Sequence, residues 1–378
     1  MHFLLACALA GANTATIATS QQVHEVAGIV ATTVADVPET FIASSVSAPP
    51  TTEAIRDSLV QLAQFQRFSN KYALSLTTLD ALGAIEPNHP RSHFMKAAVL
   101  LAETFDSGSV ENHDRFLAEI DAALVLTDQL EASGEDQAAE AIFLRGAAIG
   151  YRGAYAVITN AWWDAFNDGR KGLSMLKKSV ELDPDNYDAY LGLGMFTYWR
   201  SKLTSRVSWL PFIGDEREKG IKMIRLAAEH GEWGREEALG NLIIVMSMEG
   251  QGDEILEVAL PQLERYPSSR FLLRAAAVGS HFSGHYTEAN QYYQRLREEI
   301  PAEGFEVYPN LLHYDLAQAQ IAIAQEHDAA AARLCRRLLS YPAADLARFD
   351  TAREKARKML VDINRRYSEQ IAASANSR

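Results

Sequence analysis

The sequence predicts an all-α fold, an α-solenoid of about seven helical hairpins closed by a carboxy-terminal capping helix. Three observations lead there. From Glu53 onward apolar residues recur at the helical period, broken by short Gly, Pro, Asn and Asp punctuation, with almost no alternating strand pattern. Several such segments end on a proline: Ile85-Glu86-Pro87, Leu182-Asp183-Pro184, Arg265-Tyr266-Pro267, Glu299-Ile300-Pro301 and Ser340-Tyr341-Pro342. The interval from Pro267 to Pro301 is 34 residues, a length at which repeat architectures must be tested before any other.

The chain has 378 residues, 48% of them hydrophobic and 22% charged, enough apolar material for a sizeable core. Its amino-terminal part reads differently from the rest. No Lys or Arg precedes Arg56, and the apolar run Phe3 to Ala10 has the length of a signal-peptide hydrophobic region, with Ala8, Ala10 and Ala12 as cleavage-type small residues. A spanning helix needs about 20 residues. Residues 1–22 are therefore expected to be a signal-like or lipoprotein-like leader; Leu4-Leu5-Ala6-Cys7 resembles a lipobox, which would make Cys7 the lipidation site. Residues 23–52, rich in Ala, Thr, Ser and Val and ending in Ser-Ala-Pro-Pro-Thr-Thr, read as a flexible linker. These features predict a periplasmic, outer-membrane-associated or secreted protein, the alternative being a cytoplasmic protein with a disordered tail.

The solenoid is expected over 53–372, followed by a short tail, 373–378. With Pro301 at position 32 of a 34-residue frame, Gly284 falls at 15, Tyr286 at 17, Ala289 at 20 and Tyr293 at 24. A small residue at 20 lets the second helix approach the first, and the aromatic at 24 fills the gap beside it. The frame ending at Pro267 begins at Glu236 and puts Leu239, Leu242 and Met246 on one face with Gly250 in the turn. Aligning Pro342 gives Tyr314, Ala317, Ala330 and Leu334 at positions 4, 7, 20 and 24; aligning Pro87 gives Leu59, Leu62, Ala63, Tyr72 and Leu79. Residues 91–130 supply another pair. A longer pair follows, from about Gln137 to Tyr155 and from Trp162 to Leu182, in which Gly146, Gly150 and Gly153 predict close helix approach. The hairpin opened by Tyr190-Leu191-Gly192-Leu193-Gly194 receives its second helix, Glu218 to Glu229, late, after an insertion containing Trp209-Leu210-Pro211-Phe212-Ile213-Gly214. The capping helix is expected from about Leu346 to Ala372.

This pattern resembles the tetratricopeptide repeat superfamily. Leu191 to Phe196, the Trp-Leu-Pro insertion and Asp215 to Gly220 more narrowly resemble a group of bacterial exported repeat proteins, themselves distantly similar to the eukaryotic inclusion-body-clearance repeat proteins. There is also a weaker resemblance to the repeat-containing lipoprotein of tripartite substrate transporters. The resemblance implies a non-catalytic scaffold that binds a protein or peptide on its concave face; the alternative is a solute-binding accessory protein of a transport system. It carries no catalytic residue onto the chain.

Composition and motif searches narrow the classes further. A formal charge of −13 argues against a nucleic-acid partner. Two cysteines, Cys7 and Cys335, allow no disulfide framework and no cysteine-based zinc site. Phosphate-loop, dinucleotide, nucleophile-elbow and H-E-x-x-H signatures are absent. No cofactor is expected. His281/His285 and His89/His93 have two-histidine spacing, but Gly284 sits in a turn and Pro90 interrupts the other pair, so no metal is expected either.

All five tryptophans fall within 72 residues, Trp162 to Trp233. In a tetratricopeptide array positions 2, 5, 9, 12 and 13 of the first helix line the concave face. In the frame beginning at Tyr187 these are Asp188, Leu191, Met195, Tyr198 and Trp199. The candidate binding residues are therefore Tyr151, Tyr155, Trp163, Asp188, Met195, Tyr198, Trp199, Trp209 and Phe212, a mixture of aromatic, thioether and acidic groups suited to a peptide or small amphipathic ligand. The alternative for each aromatic is core packing between lengthened helices. The last helix, with Arg348, Arg353, Lys355, Arg357, Lys358, Arg365 and Arg366 against Asp350, Glu354 and Asp362, reads as a solvated cap, the alternative being contact with an acidic partner or membrane head groups, and Cys335 as a small packing residue.

Overall fold

The computed structural model describes residues 52–376 apart from 133, 135–136, 205–213, 301–309 and 342–347. The leader, Cys7, the linker up to residue 51, Trp209 and Phe212 lie outside the described residues. Within them the chain forms fifteen α-helices: α1 Thr52–Phe68, α2 Tyr72–Ile85, α3 Arg91–Ser107, α4 His113–Ala132, α5 Ala138–Ile158, α6 Trp162–Leu182, α7 Tyr187–Thr204, α8 Arg217–His230, α9 Arg235–Glu249, α10 Gly252–Arg265, α11 Arg270–Phe282, α12 Tyr286–Glu298, α13 Leu311–Ala324, α14 Asp328–Ser340 and α15 Arg348–Asn376. These make seven consecutive hairpins and a terminal helix, which continues through Asn376 into the stretch expected to be tail.

One turn geometry recurs. Asn70, Asn160, Gly250, Gly284 and Glu326 each take a positive φ between 60° and 77° immediately after a first helix. The next residue's N–H then reaches back five residues: Lys71 to the Gln66 carbonyl (2.8 Å), Ala161 to Ala156 (2.8 Å), Gln251 to Met246 (3.0 Å), His285 to Ser280 (2.7 Å) and His327 to Ala322 (2.7 Å). This left-handed cap satisfies carbonyls the helix end leaves open and reverses the chain within a few residues. Gly250 and Gly284 occupy it without steric cost because they carry no Cβ.

The same geometry corrects one expected register. Counting Gly284 as position 15, Glu326 is position 15 of the last hairpin only if its frame starts at residue 312, one later than Pro342 indicates. Burial agrees: Ala331, Cys335 and Leu338 are fully enclosed, as Ala289, Tyr293 and Leu296 are one hairpin earlier, while Ala330 and Leu334 are only partly covered. Proline after a helix marks that the helix has ended, not where the facing residues lie. Cys335 thus takes the gap-filling place that Tyr293 holds in the preceding hairpin.

The chain divides into two compact units: residues 52–102, 113–157 and 161–196 in one, and 103–112, 158–160 and 197–376 in the other. In the first unit the glycines of α5 act as expected, with a partner the periodicity did not reveal. A Cβ on Gly172 of α6 would lie 3.0 Å from the Gly146 carbonyl oxygen and 3.3 Å from the Gly150 nitrogen, so two 21-residue helices cross almost backbone to backbone. Arg152 and Asp168 clamp the same crossing with a two-pronged ion pair at 2.7 and 2.9 Å. That pairing raises the Arg152 pKa.

In the second unit α13, α14 and α15 enclose a core of Leu312, Leu316, Ala319, Ala352, Ala356 and Ile363, against which Val110 and Ile158 also pack. Segment 103–112 is fixed there by polar ties: the Arg270 guanidinium holds both Asp106 oxygens, and Asn310 Nδ2 donates to the Phe105 carbonyl (3.3 Å). Fully enclosed Asp315 accepts from Arg297 and, at 2.6–2.7 Å, from Arg337. A carboxylate with no solvent needs such partners, because burying it unpaired is costly.

Candidate interaction surface

The central aromatics divide between core and surface. In the first unit Tyr155 is buried: its ring stacks on Phe116 at 4.4 Å and lies 5.3 Å from His113. Tyr151 is half-buried, edge-on to Phe94 at 5.1 Å. Asp188, in the first turn of α7, and Met195 are half-buried, and Trp163 is exposed.

In the second unit Tyr198 is fully enclosed, so the expectation that it faces an open groove gives way to a structural role. Its hydroxyl donates to Glu249 Oε1 (2.8 Å), and its ring meets half-buried Trp199 edge-on at 5.4 Å. Burial and the Glu249 contact push the Tyr198 pKa up.

Glu249 also accepts from Lys202 Nζ (2.9 Å) and Arg217 Nη1 (2.8 Å), while Arg217 grips Asp215 at 2.6–3.0 Å. Ser201 Oγ accepts from the Glu216 N–H at 3.0 Å. One carboxylate therefore joins the end of α7, the start of α8 and the end of α9, which are the two stems of the insertion and the next first helix. Burial alone would raise the Glu249 pKa; the Lys202 and Tyr198 hydrogen bonds and the cationic neighbours outweigh it and hold the group below the ordinary carboxylate value.

The histidine pairs separate as the chain geometry requires. His89 Nε2 lies 3.3 Å from Glu140, whereas His93 Nδ1 lies 2.6 Å from Glu119. His281 packs between the rings of Phe282 and Tyr286, and its burial lowers its pKa; His285 is exposed at the start of α12.

A second set of residues, not singled out by the aromatic content, occupies the first-helix face of α9 and α11, which touch directly. Ile244 and Met248, four apart on α9, and Phe282 at the end of α11 are exposed, and the Phe271 ring lies over Gly240. The signal was present in the sequence. In the frames beginning at Glu236 and Arg270, Ile244 is position 9, and Met248 and Phe282 are both position 13. The concave-face positions needed only to be read in these regular hairpins as well as in the central one.

No protein-family model matches the chain, and no curated protein matches it. Among solved structures it is similar to a tetratricopeptide repeat protein from Parabacteroides merdae, at 14% identity over 80% of this chain and 98% of that one, with a TM-score of 0.36. It is also similar to the P58(IPK) tetratricopeptide domain, at 14% identity over 81% of this chain and 98% of that one, with a TM-score of 0.18. Independently of these likenesses, the seven hairpins, the left-handed turn that five of them share and the small residues at helix crossings give the described residues the architecture of a tetratricopeptide-type α-solenoid.

Proposed function

We propose that the chain is a non-catalytic scaffold that binds a protein or peptide along the first-helix face of α9 and α11. The observation carrying this reading is the exposure of Ile244, Met248 and Phe282 at concave-face positions of adjacent hairpins. Flexible thioether and aromatic side chains bury large area on contact and adapt to a peptide's shape. Repeat arrays present such extended faces because each hairpin spends its other surfaces on its neighbours. The reading rests on this face rather than on the central aromatics because Tyr155 and Tyr198 fill the interior. The leader-like run Phe3 to Ala10 supports an extracytoplasmic location for this scaffold.

The test is site-specific photocrosslinking in cells, with the probe at Met248 and, as a control, at exposed Val125 of α4. A discrete adduct at Met248 that is absent at Val125 and lost with Ile244→Asp and Phe282→Asp is expected. Identical adduct patterns at the two sites would overturn the assignment. Fractionation with sequencing of the mature amino terminus tests the location, and an intact Met1 in the cytoplasm would reverse it.

A further inference from the structure

The solvent-facing side of α6 carries a pattern that neither the core nor the proposed peptide face uses. Trp162, Trp163 and Phe166 at its start are 60%, 74% and 55% exposed, and no other residues of the described chain place large aromatics so openly on consecutive helical turns. The Trp163 and Phe166 rings lie nearly parallel with centroids 6.0 Å apart, and the Arg170 guanidinium sits 5.8 Å from the Phe166 centroid. Trp163, Phe166, Arg170, Ser174, Lys177 and Glu181 follow one another at three- and four-residue steps, so they form a single stripe along the helix. At about 1.5 Å per residue that stripe runs roughly 27 Å.

The stripe also carries a basic excess, which in this acidic protein recurs on α15 but without adjoining exposed tryptophans. Arg170, Lys171, Lys177 and Lys178 are all exposed, and none is held in an ion pair with a described residue. The carboxylates on the same side are Asp164 and Glu181; Asp168 faces the other way, buried against Arg152. Four basic groups against two acids leave this face positive in a chain of net charge −13.

We propose that this stripe is a peripheral docking surface for an anionic lipid bilayer, with the three aromatic rings entering the headgroup region and the basic residues lying against lipid phosphates. Indole rings favour that boundary because their apolar body and polar N–H are each satisfied there. Trp162 and Trp163 splay about 100° apart around the helix. A fluid interface accepts that divergence, whereas a single protein pocket would have to be cut to it. Lysine suits the same partner, since an ammonium neutralises phosphate as a point charge without fixed geometry. The contact is peripheral: no helix among the described residues is long and apolar enough to cross a membrane.

The experiment is vesicle co-sedimentation of the full chain carrying Cys7→Ala, so that no acyl anchor contributes. Vesicles of pure phosphatidylcholine are compared with vesicles in which about a third of the lipid is phosphatidylglycerol. Salt-sensitive binding to the anionic vesicles alone, with a blue shift in tryptophan emission, is the expected result. Trp162→Ala/Trp163→Ala/Phe166→Ala should abolish the shift, and Lys177→Glu/Lys178→Glu should weaken partitioning on the order of tenfold or more. Far-UV circular dichroism of both variants should match the parent, since every changed side chain is exposed. Equal binding to neutral vesicles, binding unchanged in both variants, or capture of an acidic protein without any vesicle binding would overturn the proposal.

Discussion

Two hairpin designs coexist in one chain. From α9 to α12 the helices are 13–15 residues long, and their turns use left-handed Gly250 and Gly284. Their crossings seat alanine, leucine and tyrosine: Ala275, Ala276, Ala289, Tyr293 and Leu296 are all enclosed. The hairpin α5–α6 keeps the turn but lengthens both helices to 21 residues and brings glycine-to-backbone approach into the middle of its own crossing, whereas in α9–α12 that approach lies between hairpins, where Gly252 of α10 faces the backbone of Gly279 and Ser283. The turn and the crossing are therefore separable. A left-handed cap fixes where the chain reverses, whereas the residues at the crossing fix how close and for how long two helices run together.

The short-helix hairpins are most sensitive where α12, α13 and α14 meet at Asp315. Asp315→Ala removes the carboxylate between Arg297 and Arg337 and leaves the buried Arg297 charge without its partner, which should cost about 3–5 kcal/mol in urea denaturation. A loss under about 1 kcal/mol would mean the pair contributes little beyond its own desolvation.

A paired substitution tests the long design. Gly172→Ala would drive a Cβ to 3.0 Å from a backbone carbonyl that cannot swing aside, and should cost about 1–3 kcal/mol. Gly150→Ala, on the facing helix, points its Cβ where nothing lies within 4 Å and should stabilise by about 0.5–1 kcal/mol through helix propensity. Thermal melts of the two variants should move in opposite directions; the same direction for both would show that the crossing is not held by glycine contact. The smallest effect concerns the shared turn. Glu326→Gly relieves a side chain from a φ of 61° and should gain up to about 1 kcal/mol, while Gly284→Ala at a φ of 77° should lose a similar amount.

Much of the fold was legible because its determinants are local. The apolar period set each helix, the glycines set two turns, and Trp162 and Leu182 bounded α6 as expected. Register in the last hairpin was misread from Pro342, since a proline reports the end of a helix and not its facing side. The binding face was harder. Aromatic content pointed to the centre, but an aromatic residue serves core and surface equally well. Tyr198 became core because Glu249, fifty-one residues away, supplied a partner for its hydroxyl.

The class, the number of hairpins and the glycine turns at Gly250 and Gly284 were readable from the chain alone, because capping, propensity and amphipathic period act within a few residues of one another. That Gly172 sits on Gly146 and Gly150, and that Arg270 and Asn310 hold a segment around Asp106 more than 160 residues earlier, came from the folded arrangement. Such pairings form where distant surfaces happen to meet, and no periodic pattern in either segment records the other.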